Sequence, residues 1–177
     1  MFRRVCLYAG PGGGKSTMAA WLYSSLKAES RNVELVREHV KNWVYEDRPP
    51  TSFDQIFLFA AQMRTEDVIL RSGVEMVITD SPLFLSICYS EKYGTPGWRS
   101  LLALCDAFDD AYPPLDVLMT RRTKYDATGR FQGESDALEM DEFVKSRLES
   151  RGKEFHEATT GDEILGVIRQ ASRQTSR

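Results

Sequence analysis

Three cysteines, two histidines and no long apolar run set the first limits on this 177-residue chain. Cys6, Cys88 and Cys105 are odd in number and widely scattered, which excludes a disulfide framework and suits buried thiols in a reducing cytoplasm. His39 and His156 share no metal-ligand spacing and read as structural residues. No window is long or apolar enough to span a bilayer. The opening Met-Phe-Arg-Arg lacks the pattern of a secretory signal. A basic surplus is also missing: the net charge is −3, so the chain as a whole has no electrostatic pull toward nucleic acid. There is no internal repeat and no low-complexity tract. Hydrophobic residues make up 42% and charged residues 28%, an ordinary globular composition whose length suits one domain over 1–177.

What is present is concentrated at the start. Ala9 to Thr17 read A-G-P-G-G-G-K-S-T, directly after the apolar run Val5–Tyr8. Gly10, Gly12, Gly13 and Gly14 with a proline predict neither helix nor strand. They predict a curve of backbone N–H groups that wraps an anion. Lys15 is expected to reach the β- and γ-phosphates of ATP, the Ser16 hydroxyl to ligate Mg²⁺, and Thr17 to line the same loop. A helix that starts at Lys15 adds its N-terminal dipole. Ala9 stands where the commonest pattern has glycine.

Beyond the loop, apolar runs alternate with helical patterns, which predicts an α/β fold with a parallel sheet of about five strands flanked by helices. The expected strands are 5–8, 32–36, 74–79, 117–120 and 154–158. The expected helices are 16–28, a long one from Ser52 or Asp54 to Arg71, 81–94, 98–111, 134–151 and 162–171. Residues 46–52 read as a turn, 121–133 as a basic lid loop, and 172–177 as a frayed tail.

Several side chains then suggest chemistry. Asp80 closes a buried strand, where a carboxylate can hold Mg²⁺ directly or through water, or can cap the next helix. Glu38 follows the second strand at the carboxyl edge of the sheet, where it could take a proton from an attacking hydroxyl or simply face solvent. Arg121, Arg122, Lys124 and Arg130 crowd into the lid segment, with Gly129 as a hinge or turn. Cations over a triphosphate neutralise the charge that develops during transfer, so Arg121 and Arg130 are candidates for catalysis and Arg122 for nucleotide binding. Arg37 is a phosphate contact or a surface charge. Gln55 and Gln62 share one face of the long helix, and Gln62 is the candidate to read a nucleobase as a bidentate amide; Arg64 follows it. Trp43 stacks on a base or plugs the loop before Pro49.

With these residues together, the chain resembles the small P-loop kinases of nucleosides and nucleotides. The carriers are A-G-P-G-G-G-K-S-T, E-H-V-K-N-W, T-D-S-P and R-R-T-K-Y-D-A-T-G-R-F-Q, over roughly residues 3 to 150. Glu38-x4-Trp43 resembles the catalytic-glutamate motif of deoxyribonucleoside kinases, which implies that Glu38 takes the proton from a sugar hydroxyl. The segment from V-E-L-V-R-E-H-V-K-N-W through T-D-S-P-L is also similar to bacteriophage proteins related to the nicotinamide riboside kinase domain. Some of those relatives phosphorylate 5-hydroxymethyluridine within DNA, in the bacterial host cytoplasm. Deoxyribonucleoside kinases carry Glu-Arg-Ser after the third strand, whereas this chain has Asp80-Ser81-Pro82.

The resemblance implies a P-loop kinase fold and an enzyme that moves the γ-phosphate of ATP, with Mg²⁺, to a nucleoside, a nucleotide or a modified base in DNA. Glu38 or Asp80 is then the base. Outward-facing helices of such a fold can pair two copies. A reading of another class is an ATPase or nucleotide-gated switch, which would turn over ATP without any acceptor.

Overall fold

The computed structural model describes residues 2–121 and 133–174. Five strands form one sheet: β1 (Arg4–Tyr8), β2 (Val33–Val36), β3 (Met76–Thr79), β4 (Pro114–Met119) and β5 (His156–Ala158). Their order is β2-β3-β1-β4-β5 and every pairing is parallel. The register places Cys6 beside Thr79 and beside Asp116. Parallel neighbours need crossover connections, and the helices between successive strands supply them.

Alternation along each strand divides the core into two layers. Cys6, Tyr8, Val77 and Leu118 face one side, against α3 (Asp54–Arg71), α4 (Leu83–Lys92), α5 (Trp98–Ala111) and α6 (Glu134–Ser150). Val5, Leu7, Met76, Ile78, Val117 and Met119 face the other, against α1 (Lys15–Ala28) and α7 (Gly161–Gln174). Both faces are covered, as buried parallel sheets require. The second layer is aliphatic apart from its thioethers. The first contains an ionic chain: Arg4 bonds Glu66 at 2.8 Å and Asp109 at 2.6 Å, and Asp109 also pairs with Arg151 at 2.6 Å. The Arg4 guanidinium lies 4.7 Å from the centroid of the Phe108 ring.

All three cysteines are free and buried. Burial pushes the Cys6 thiol well up, and Cys88 and Cys105 up to about 12, so they remain neutral small hydrophobes.

The expected element order matches in kind, with three differences. α2 (Lys41–Tyr45) is a five-residue helix where none was expected. β4 starts at Pro114, three residues early: as the first residue of the strand, opposite Arg4 of β1, the proline is tolerated without an N–H. α7 runs on to Gln174, so 172–174 are helical and not frayed: Ile168 is buried, and Ser172 Oγ bonds the Ile168 carbonyl at 2.8 Å. Arg122, Lys124, Gly129 and Arg130 of the expected lid lie outside the described residues.

β1 sits between β3 and β4, and the chain crosses the sheet there. In a doubly wound sheet the crevice at such a crossing, outside the carboxyl ends of the strands, is where ligands bind. Residues 9–17 follow β1 directly into that crevice.

Candidate active site

The phosphate loop is built mainly from backbone. Gly14 caps α1 with φ 82°, a left-handed conformation that costs glycine nothing, and no side chain caps the helix. The first-turn N–H groups of α1 therefore face the crevice, with no acidic residue in that turn to compete for them. Gly10 is required for a different reason. A Cβ there would lie 2.6 Å from the Ala137 carbonyl oxygen of α6, and its N–H donates to Asp141 Oδ1 at 2.5 Å. Ala9 in place of glycine is explained by Gly13: a Cβ on Gly13 would lie 2.5 Å from the Ala9 methyl, so that methyl fills space Gly13 leaves. Lys15 Nζ donates to the Ala9 and Gly10 carbonyls at 2.8 and 3.1 Å. Burial lowers its pKa, against the opposing pull of Glu38, Asp80 and Asp141.

One cleft of about 260 Å³ joins this loop to the neighbouring elements. Pro11 to Thr17 form one wall, including the exposed Ser16 and Thr17. Glu38, His39, Val40, Lys41 and Val44 come from the segment after β2; Gln55, Leu58 and Gln62 from α3; Ser81, Leu85, Ser86 and Tyr89 from the end of β3 and α4. Glu38 is fixed by its own backbone: its N–H donates to Asp80 Oδ1 at 2.9 Å. Asp80 is buried at the end of β3, and it couples the Glu38 segment to the sheet edge next to β1.

Gln62 is 2% exposed, and its amide nitrogen is fully engaged. Nε2 donates to Glu66 Oε1 at 2.9 Å and to Thr79 Oγ1 at 3.0 Å. Both N–H groups are thus used inside the protein, and Gln62 cannot act as the bidentate reader that its helix position suggested.

Four other candidates stand away from the cleft: Arg37 fits its surface-charge alternative and Trp43 its alternative as a plug, while Arg64 and Arg121 depart from the expected roles. Arg37 and Arg64 are exposed and are not among the cleft-lining residues, because their positions on β2's exit and on α3 turn away from the crevice. Trp43 is not a lining residue either: it stacks on Phe57 with ring centroids 5.9 Å apart, and the Arg48 guanidinium covers it at 4.0 Å. Arg121 is not a mobile lid cation. Its Nε bonds Asp141 Oδ2 and one terminal nitrogen bonds the Pro11 carbonyl, both at 2.7 Å, so it braces the phosphate loop against α6. Asp141 thereby holds Gly10 and Arg121 at once.

His39, read as structural, stands on the cleft wall with Nε2 3.0 Å from Thr65 Oγ1. The sequence reading missed Asp141, Ser81, Ser86 and Tyr89. Leu85 and Tyr89 lie one helical turn apart, so the polar interruptions of the apolar run L-F-L-S-I-C-Y were the available signal for Ser86 and Tyr89. Burial raises the Tyr89 phenol well above its ordinary value, and the nearby charge of Glu38 adds to this.

A family model described as an AAA domain matches residues 4–163. The chain belongs to that family. Among curated protein sequences none matches significantly. Solved structures share the fold. The deoxyadenosine kinase from M. mycoides, with products dCMP and a flexible dCDP bound, superposes with a TM-score of 0.58 at 14% identity, covering 97% of this chain and 99% of that one. The same enzyme with bound dATP gives 0.54 at 12% identity, covering 96% and 99%. Thymidylate kinase from Ehrlichia chaffeensis gives 0.61 at 17% identity, covering 94% and 98%. The all-parallel five-stranded sheet with its flanking helices is the P-loop kinase fold of these neighbours.

Proposed function

We propose that the protein is an ATP-dependent phosphotransferase that moves the γ-phosphoryl group to a hydroxyl of a nucleoside-type acceptor. The observation that carries this is Glu38. It lines the same cleft as the phosphate loop, and Asp80 holds its backbone. A carboxylate beside the phosphates would serve an ATPase equally by orienting water, so it is the cleft of about 260 Å³ next to Glu38 that favours a larger acceptor. In the reaction, the acceptor O–H gives its proton to the Glu38 carboxylate while its oxygen bonds the γ-phosphorus. The bond from that phosphorus to the bridging oxygen breaks, and ADP leaves with the electron pair. Lys15 and the N–H groups at the start of α1 stabilise the charge on the transferred group. Arg121 positions the loop that supplies them.

The donor set suits Mg²⁺: the Ser16 hydroxyl and the Asp80 carboxylate are hard oxygen ligands, and this ion usually takes one or two protein groups with phosphates and waters. When bound, Mg²⁺ would supply charge neutralisation at the β- and γ-phosphates.

The cations that line the described cleft are Lys15 and Lys41, with His39 beside them. A monophosphate acceptor needs cations for its own phosphate, and the Arg37 and Arg64 positions do not provide them. Arg122, Lys124 and Arg130, outside the described residues, are the other groups that would serve such a phosphate, so nucleosides and nucleoside monophosphates both belong among the acceptors to be tested. Transfer of labelled phosphate from ATP to a panel of nucleosides, nicotinamide riboside and nucleoside monophosphates tests the proposal. Intact ATP binding with no transfer to any of them contradicts it.

A second reading is a kinase of a hydroxymethylated base within DNA. It draws on exposed aromatics beside the cleft: Tyr45, Phe53 and Phe57 are 74%, 60% and 60% exposed, and Lys41 and Arg48 are close in sequence. Such rings and cations can stack and track a strand. The net charge of −3 opposes it. Activity on hydroxymethyluracil-containing DNA that collapses between low and moderate salt would favour this reading over the first.

A further inference from the structure

Two backbone carbonyls hold the Lys15 ammonium, and the direction of one of them is set by a residue that does not line the cleft. The Ala9 carbonyl and the Gly10 N–H are the two ends of one peptide unit. A trans peptide is planar, so its N–H and C=O point in opposite directions, and fixing one fixes the other. The Gly10 N–H donates to Asp141 Oδ1 at 2.5 Å, and a bond to an ionised acceptor is a strong one. The Ala9 carbonyl accordingly points away from α6 and accepts from Lys15 Nζ at 2.8 Å. Turned over, the same peptide would set a carbonyl oxygen against the Asp141 carboxylate and an N–H against the Lys15 ammonium. Both contacts are repulsive, so the polarity of this unit is fixed from its two ends.

Asp141 is fixed as well. Its Oδ2 accepts from Arg121 Nε at 2.7 Å, and Arg121 is tied to the Pro11 carbonyl at the same distance. Ala137, one turn before Asp141 on α6, closes the remaining space: a Cβ on Gly10 would lie 2.6 Å from its carbonyl oxygen. The Gly10 carbonyl takes the Gly13 N–H at 3.2 Å and Lys15 Nζ at 3.1 Å. An ammonium has three N–H groups. Two rest on loop carbonyls, which leaves the third for a phosphate oxygen in the cleft that Lys15 lines.

We propose that Asp141 is a positioning residue for phosphoryl transfer: from α6, outside the cleft, it orients the Ala9–Gly10 peptide and, through that peptide, the Lys15 ammonium. It touches neither substrate. Its effect is on the γ-phosphoryl group whichever acceptor is used, and it is exerted through Lys15. Preorganisation of this kind spares the lysine a reorientation at the moment of transfer. The inference rests on the phosphotransferase reading above.

A double-mutant cycle on kcat tests this, with Asp141→Ala and Lys15→Met made singly and together and transfer of labelled phosphate as the readout. Asp141→Ala alone should lower kcat by about 10–100-fold, the value of the charged hydrogen bond to Gly10. In the Lys15→Met protein the same change should lower kcat by less than about twofold, since no ammonium is left to position. Equal losses in the two backgrounds overturn the proposal, because a merely structural role for Asp141 weakens the protein whether or not Lys15 is present. A measurement on the wild-type protein decides the matter if a variant fails to fold. The Gly10 amide should exchange slowly with deuterium and stay slow with a non-hydrolysable ATP analogue bound. Fast exchange once the nucleotide is bound means that the peptide has left Asp141, and it overturns the proposal too. Absence of transfer to any acceptor contradicts the kinase reading alone, and the exchange measurement then still decides the role of Asp141.

Discussion

The two halves of the cleft are made of different material. The proposed donor half is nine consecutive residues, Ala9 to Thr17, that follow β1 and open α1, and most of its hydrogen-bonding capacity is backbone N–H. The acceptor half is assembled from side chains on three separate stretches of chain: Glu38 after β2, Gln55 and Gln62 on α3, Ser81 to Tyr89 on β3's exit and α4. The donor half therefore tolerates little change in shape and has little say in what is phosphorylated. In the proposed acceptor half recognition would fall to single side chains, and these are held by partners elsewhere in the protein: Asp80 for Glu38, and Glu66 with Thr79 for Gln62.

This division gives predictions that break or sharpen the comparison. Glu38→Gln strikes the acceptor half at the chemical step. Turnover should fall by about 10²–10⁴-fold with ATP affinity unchanged, measured by steady-state kinetics and nucleotide titration. Lys15→Ala strikes the donor half, where the loss of one preorganised cation should lower kcat by about 10²–10³-fold whichever acceptor is used. Acceptor-independent loss is the mark of the donor half, and acceptor-dependent loss is the mark of the other.

Gly10→Ala sharpens the point, because it adds a single methyl against the Ala137 carbonyl and Asp141. It should cost about 1–3 kcal/mol in stability or in ATP binding, read by thermal unfolding with and without nucleotide, and leave the acceptor preference alone.

The smallest effect lies outside both halves. Asp116 is buried in β4 with one oxygen unpartnered, and desolvation first, then Asp109, pushes its pKa up to about 6. The unfolded carboxyl ionises near 3.8 and the folded one only near 6. Folding is therefore penalised progressively as pH rises from about 4 to 6, and fully above that. Asp116→Asn should raise stability at pH 7 by about 1–2 kcal/mol and change little at pH 4, by denaturant titration at both values.

The same division explains what could be read from the chain alone. The phosphate loop was legible because its chemistry is local: glycines, lysine and serine in fixed order dictate the curve and the helix that follows. Glu38 and Asp80 were legible as positions, since each ends a strand at the carboxyl edge. That Asp80 grips the Glu38 N–H was not, because the contact spans 42 residues. Gln62 was placed on the right helix, but its amide N–H groups are taken by Glu66, one turn along, and by Thr79 of β3, which it meets only in the folded protein. Arg121 reads as a free cation beside other cations; Asp141, twenty residues on, turns it into a brace. Trp43 had a base-stacking spacing, and Phe57 took the stacking face. For Arg121 and Trp43 the deciding partner is distant in sequence.

The fate of the γ-phosphate tests the central claim most directly. With labelled ATP and the wild-type protein, label should move onto a nucleoside hydroxyl, with little release of inorganic phosphate when no acceptor is present. Release to water at the same rate with and without nucleosides, and no labelled nucleoside, would contradict the account.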